Sequence, residues 1–193
     1  MKYLQPKLQP GDIIAYSGAG WPSVIVNLGS YGIPWLHASH VGIIGEYKGE
    51  MLVFESTSLS NVPCVIQGKP FVGTQAVRLE DRMAAYKGRM WHYPLCRPLF
   101  DTENECLTEF LTAHIGIAYD LVGALRSGGV ALSWFESWLR KEDLGLIFCS
   151  EFCVAAHRNI GLLRTDNVSR WNPNRFIRYE RRENILLKPW RLK

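Results

Sequence analysis

The sequence predicts an α+β fold with an antiparallel sheet packed against helices, and its punctuation carries the prediction. Strand-like runs crowd the first half, helical periodicity takes over after about residue 100, and the two do not alternate as βαβ units would. Among the strands, Asp12 to Tyr16 is an apolar β-rich run. Val41 to Tyr47 and Leu52 to Glu55 form a hairpin across Lys48-Gly49-Glu50. Val65-Ile66, Ala76 to Leu79 and Met90 to Tyr93 are shorter strand candidates set off by proline and glycine.

The helices follow. Thr102-Glu103-Asn104-Glu105 has the form of a capping box, and Cys106, Leu107, Phe110 and Leu111 then give one apolar face ending near Gly116. Leu121 to Arg126 and Leu132 to Arg140 read as short helices around Ser127-Gly128-Gly129. A stronger helix runs from Phe148 to Ile160 and stops at Gly161, and Asn172 caps a last one with Pro173 in its first turn.

A length of 193 residues, 47% hydrophobic and 21% charged, suits one domain over residues 1–193 with a core that needs no disulfides. No apolar run approaches a membrane span, and Met1 to Pro6 lacks the apolar stretch of an export signal, so a cytoplasmic protein is expected. The five cysteines, Cys64, Cys96, Cys106, Cys149 and Cys153, are an odd number and fit free thiols in a reducing compartment. The net charge of +4 is uneven, with ten Lys/Arg against three Asp/Glu in residues 158–193. That stretch could meet an anionic surface such as a membrane. No nucleic-acid motif accompanies it, and no nucleic-acid partner is expected.

A thiol becomes chemically useful when something stabilises its thiolate. Cys149 falls at the expected start of a helix, where free N–H groups and the macrodipole favour an anion. The other four cysteines read as packing residues. A cysteine nucleophile needs a base, and the base needs an orienting partner. His40 opens the strand Val41 to Ile44, and Glu55 ends the neighbouring strand of the hairpin, so the two side chains can meet. A carboxylate beside the imidazole would fix its tautomer and favour its charged form.

Gly11-Asp12-Ile13-Ile14, Ser39-His40-Val41-Gly42-Ile43, Val53-Phe54-Glu55-Ser56 and Phe148-Cys149-Ser150-Glu151-Phe152, in that order, resemble the circularly permuted papain-like proteins of the NlpC superfamily, in their YiiX-like branch. Tyr119-Asp120 and the turn Asn172-Pro173-Asn174 are also similar to positions in that family. The resemblance spans about residues 9 to 180. It implies a permuted papain-like fold in which the histidine strand comes first and the nucleophile helix last. Carried over by position, it makes Cys149 the nucleophile, His40 the base and Glu55 the orienting residue of a cysteine peptidase or amidase without a cofactor. For the oxyanion, the default donor is the Cys149 amide, with Tyr119 resembling the family's second donor and Tyr16 an alternative. The segment between Tyr119 and Cys149, with Ser133 to Trp138, is longer than a compact relative would carry. It reads either as a substrate wall or as a small helix buried on the core.

The expected substrate is a peptide, a muropeptide or a lipid-linked amide or ester. Cys149-Ser150-Glu151-Phe152 is also similar to the cysteine motif of lecithin retinol acyltransferase relatives, which opens acyl transfer between lipids as an alternative. A non-enzymatic zinc site from His37, His40, Cys149 and Cys153 is a third reading, with spacings looser than a zinc finger's.

Overall fold

A computed structural model describes residues 6–18, 38–57, 61–117, 144–164 and 171–193, the first five residues of the helix at 144–159 by backbone alone. In chain order the strands are β1 (Ile13–Ser17), β2 (His40–Tyr47), β3 (Glu50–Thr57), the two-residue β4 (Pro63–Cys64) and β5 (Lys69–Pro70), β6 (Gly73–Val77), β7 (Arg89–Tyr93) and β8 (Trp190–Arg191). The helices are α1 (Leu79–Ala85), α2 (Asp101–Ala113), α3 (Leu144–Asn159) and α4 (Pro173–Arg182).

One antiparallel sheet of order β6-β3-β2-β1-β7-β8 organises these elements, while β4 and β5 pair separately. Every residue of β1 is buried, as a central strand covered on both faces requires. The β2–β3 hairpin turns on Lys48 and Gly49, both with positive φ (52° and 81°), so the turn has two residues, and Glu50 already pairs with Tyr47.

Alternation along the strands sorts the core into two layers. Ile13, Ala15, Val41, Ile43 and Phe54 pack with Cys149, Cys153 and Val154 of α3, which lies against β2 and β3. On the opposite face, Ile14, Tyr16, Ile44, Val53 and Val77 pack with Leu79 of α1 and with Met83 and Tyr86.

Several element boundaries differ from the sequence reading. The Ala76–Leu79 strand gives way to helix after Val77, because Leu79, Met83 and Tyr86 share an apolar helical face and Glu80 and Asp81 suit a first turn. Val65 and Ile66 lie in the turn between β4 and β5. Thr102 is not a cap: α2 starts at Asp101, and the Glu103 carboxylate accepts from the Phe100 N–H at 2.8 Å while Arg97 grips it from the side. The α3 helix begins at Leu144 rather than beside Cys149, since Leu144 to Phe148 continues the helix instead of preceding it. The last helix matches expectation, with Asn172 Oδ1 accepting from Arg175 N at 2.8 Å. The expected helices Leu121–Arg126 and Leu132–Arg140 lie outside the described residues.

Candidate active site

His40 is the first residue of β2, and Tyr16 of β1 is its direct partner across the ladder. The two rings stand 4.9 Å apart between centroids, and Tyr86 closes on Tyr16 from the far side at 5.1 Å. The backbone entering β2 is pinned: Ala38 N–H donates to Asn174 Oδ1 at 2.9 Å, and Ser39 N–H donates to Tyr16 O at 2.7 Å. The histidine therefore stands on a fixed strand start, tied to β1 on one side and α4 on the other.

Glu55 of β3 meets it. His40 Nε2 lies 2.9 Å from Glu55 Oε2. The other carboxylate oxygen accepts from Gln75 Nε2 at 3.1 Å and from the Arg82 guanidinium, which is itself buried. Burial works against the charged carboxylate, but Arg82 and then His40 override it and hold the Glu55 pKa down to about 2.

The Cys149 side chain hydrogen-bonds His40. With Nε2 engaged by Glu55, Nδ1 is the ring nitrogen left for the thiol. Burial opposes an imidazolium here, yet the charge of Cys149, its hydrogen bond and the Glu55 carboxylate together push the His40 pKa up to about 10. The imidazolium of His40 is thus favoured beside the sulfur, with Glu55 behind the ring. Cys149 is fully buried and the His40 side chain keeps 13% exposure, so the imidazole is the more open member of the pair.

Cys149 is the sixth residue of α3, so its amide points back to residue 145 within the helix. The expected combination of free first-turn amide and helix-end potential therefore does not apply to it, and the electrostatic partner of the sulfur is His40. The Tyr16 hydroxyl is buried beside Glu55, and burial together with that carboxylate raises its pKa well above the ordinary phenol value. Tyr86 bonds Ser39 and also feels the charge on Cys149. Tyr119, Asp120 and the 133–138 segment lie outside the described residues.

Sequence reasoning missed Arg82 and Gln75. Arg82 had a legible signal, for it shares the inward helical face of Leu79, Met83 and Tyr86, where a charge needs a buried partner. Gln75 is set directly opposite Glu55 in the β3–β6 ladder, which only the register reveals. Of the candidate zinc ligands, Cys153 is buried one turn beyond Cys149, and His37 lies outside the described residues. Among the described residues no group of three or more His, Cys, Asp or Glu is arranged to hold a metal ion. Nor, among them, is any helix long and apolar enough to cross a membrane.

No family model matches the chain, and no curated protein does. Among solved structures, a crystal structure described as metalloprotein yiiX from Escherichia coli O157:H7, DUF1105, is similar, with a TM-score of 0.52 at 19% identity. The two share a fold. The match covers 94% of this chain and 87% of the other.

Proposed function

We propose that this chain is a cysteine hydrolase of the permuted papain-like type, cleaving an amide bond through an acyl-enzyme on Cys149. The observation that supports the reading is His40 held between the Cys149 thiol and the Glu55 carboxylate. A thiolate paired with an imidazolium is both a nucleophile and a proton store.

The cycle follows from that pair. Cys149 Sγ adds to the substrate carbonyl, and the displaced amine leaves with the proton from His40. The thioester remains on Sγ and the imidazole is neutral. A water then gives its proton to His40 as its oxygen adds to the thioester carbonyl, and collapse releases the acid and restores the ion pair. Glu55 keeps the ring turned toward the sulfur throughout and stabilises each imidazolium. The buried Tyr16 hydroxyl and the Tyr86 hydroxyl are the described side-chain donors for the oxyanion, with Tyr119 retained from the family resemblance.

The substrate is a peptide, a muropeptide or a lipid-linked amide. If a lipid hydroxyl or amine replaces water in the second half, the same cycle becomes acyl transfer. The four exposed arginines of α4, Arg175, Arg178, Arg181 and Arg182, suit an anionic lipid surface for that reading. The similar solved protein is described as a metalloprotein. The described residues of this chain do not fit a metal site, and no step above uses one.

The test is mass spectrometry of the protein treated with an activated acyl probe, followed by turnover of peptide, muropeptide and lipid substrates. One acyl adduct on Cys149, lost in Cys149→Ala, is the expected result. An adduct-free Cys149, or wild-type turnover in His40→Ala, overturns the assignment.

A further inference from the structure

We propose that Arg82 is a positioning residue of this site: its guanidinium, anchored on Asn61, clamps one oxygen of the Glu55 carboxylate so that the other is presented to His40. The inference rests on reading Cys149 and His40 as the reacting pair, and adds to it a member that never touches substrate.

The geometry is specific. Arg82 lies on α1 with 2% exposure, on the face of the sheet that carries Tyr16, Val53 and Glu55. Its Nη1 donates to Asn61 Oδ1 at 2.9 Å and its Nη2 donates to Glu55 Oε1. Gln75 Nε2 donates to that same oxygen, leaving Oε2 for His40. The two oxygens of one carboxylate are thus divided between a fixed anchor and the catalytic ring.

A planar fork anchored at two points defines the carboxylate plane in a way that a freely rotating ammonium does not. Without it, a buried Glu55 would lose its guanidinium anchor and keep Gln75, His40 and the neighbouring Tyr16, and the carboxylate could turn among them. The charged and titratable groups facing Glu55 are Arg82 from α1, His40 from β2 and Tyr16 from β1, with Tyr86 and Cys153 also within its field. Arg82 is the cation among them that is charged whatever the pH.

A purely structural arginine would make the same ion pair, so stability alone does not decide the matter. The decisive quantity is whether the effect of Arg82 on the thiol passes through Glu55. The experiment measures the rate of Cys149 alkylation by iodoacetamide against pH, by mass spectrometry, in wild type, Arg82→Met, Arg82→Lys, Glu55→Gln and the Arg82→Met/Glu55→Gln double variant. Thermal melts accompany each.

Arg82→Met is expected to slow Cys149 labelling at pH 6 at least tenfold and to move the acid limb of the profile upward. Arg82→Lys should recover part of that loss. In the Glu55→Gln background the same change should alter the rate less than twofold. Equal fold-losses in the two backgrounds, or a wild-type profile in Arg82→Met, overturn the proposal.

If Arg82→Met does not fold, Arg82→Lys decides, since a wild-type profile there shows that no fork is needed. The downfield His40 Nε2–H resonance in proton NMR supplies a readout independent of thiol chemistry. Its loss in Arg82→Lys or Arg82→Met supports the clamp, and its persistence in both removes it. Should wild-type Cys149 show no selective labelling at all, the hydrolase reading fails while the resonance still tests Arg82.

Discussion

Gly42 stands opposite Glu55. The β2–β3 register pairs Ile43 with Phe54, and one step further sets Gly42 beside the carboxylate residue, with His40 two positions along on the same face. His40 and Glu55 therefore meet diagonally, the arrangement that long side chains span on a pleated surface. A Cβ on Gly42 would come within 2.7 Å of Val53 Cγ1, 3.1 Å of Phe54 O and 3.3 Å of Glu55 Cβ. The absent side chain is what gives the carboxylate its path to the ring.

Gly42→Ala should accordingly injure both fold and site. The crowded Val53 and the strand backbone cannot yield freely, so a loss of about 1–3 kcal/mol is expected in urea unfolding. Cys149 labelling should slow as well. Unchanged stability and labelling together would show that the close approach is unimportant.

The reacting residues should behave as a unit. Cys149→Ala and His40→Ala should each remove turnover, and the double variant should be no worse than either. Glu55→Gln should retain a remainder, reduced roughly a hundredfold to ten-thousandfold, because its amide sets a donor against either Arg82 or His40. Full activity in Glu55→Gln would remove the orienting role.

His40 should titrate far above an ordinary imidazole, near pH 10, and Cys149→Ala should bring that value down because the largest raising influence goes with the sulfur. Two-dimensional NMR of the ring protons checks this. A His40 that titrates alike in the two proteins would sever it from Cys149.

The pair also has a pH signature in stability. His40 is raised from 6.5 to about 10, so its contribution is complete below pH 6.5 and is lost as pH climbs toward 10. Glu55 is lowered from 4.5 to about 2, so its contribution is present above pH 4.5 and is lost as pH falls toward 2. Both contribute fully between pH 4.5 and 6.5. Urea midpoints across pH 6–10 should fall more steeply for wild type than for His40→Gln; parallel curves would contradict the shift.

A second buried pair makes a separate prediction. His157 Nδ1 lies 2.6 Å from Glu180 Oε1 while its Nε2 donates to Gly11 O at 2.9 Å, tying α3 to α4 and to the turn before β1. Glu180→Ala strands that histidine in the core and should cost about 3–5 kcal/mol. A melt within a degree or two of wild type would show the tie to be dispensable.

The hairpin and the meeting of His40 with Glu55 were legible because β-rich runs flank a glycine turn, and residues at paired strand ends must be neighbours. The α3 start was not read, although Asp143 stands just before Leu144 in the sequence as a preferred capping type, because Leu144 to Phe148 is an apolar run that also suits a strand. The α1 helix was hidden by its brevity, because seven residues carry little periodicity and Arg82 interrupts the apolar face. Its partner Glu55 is 27 residues away in sequence, and only the tertiary fold joins them.

The order of elements has a consequence for synthesis. Strands β1 to β7 end at Tyr93, so all of the described sheet except the edge strand β8 is synthesised before residue 149. With N-terminal segments able to fold first, His40 and Glu55 can meet before Cys149 joins them. A nascent chain halted anywhere before α3 carries His40 and Glu55 without Cys149, so the proposed pair comes into being only once α3 is made.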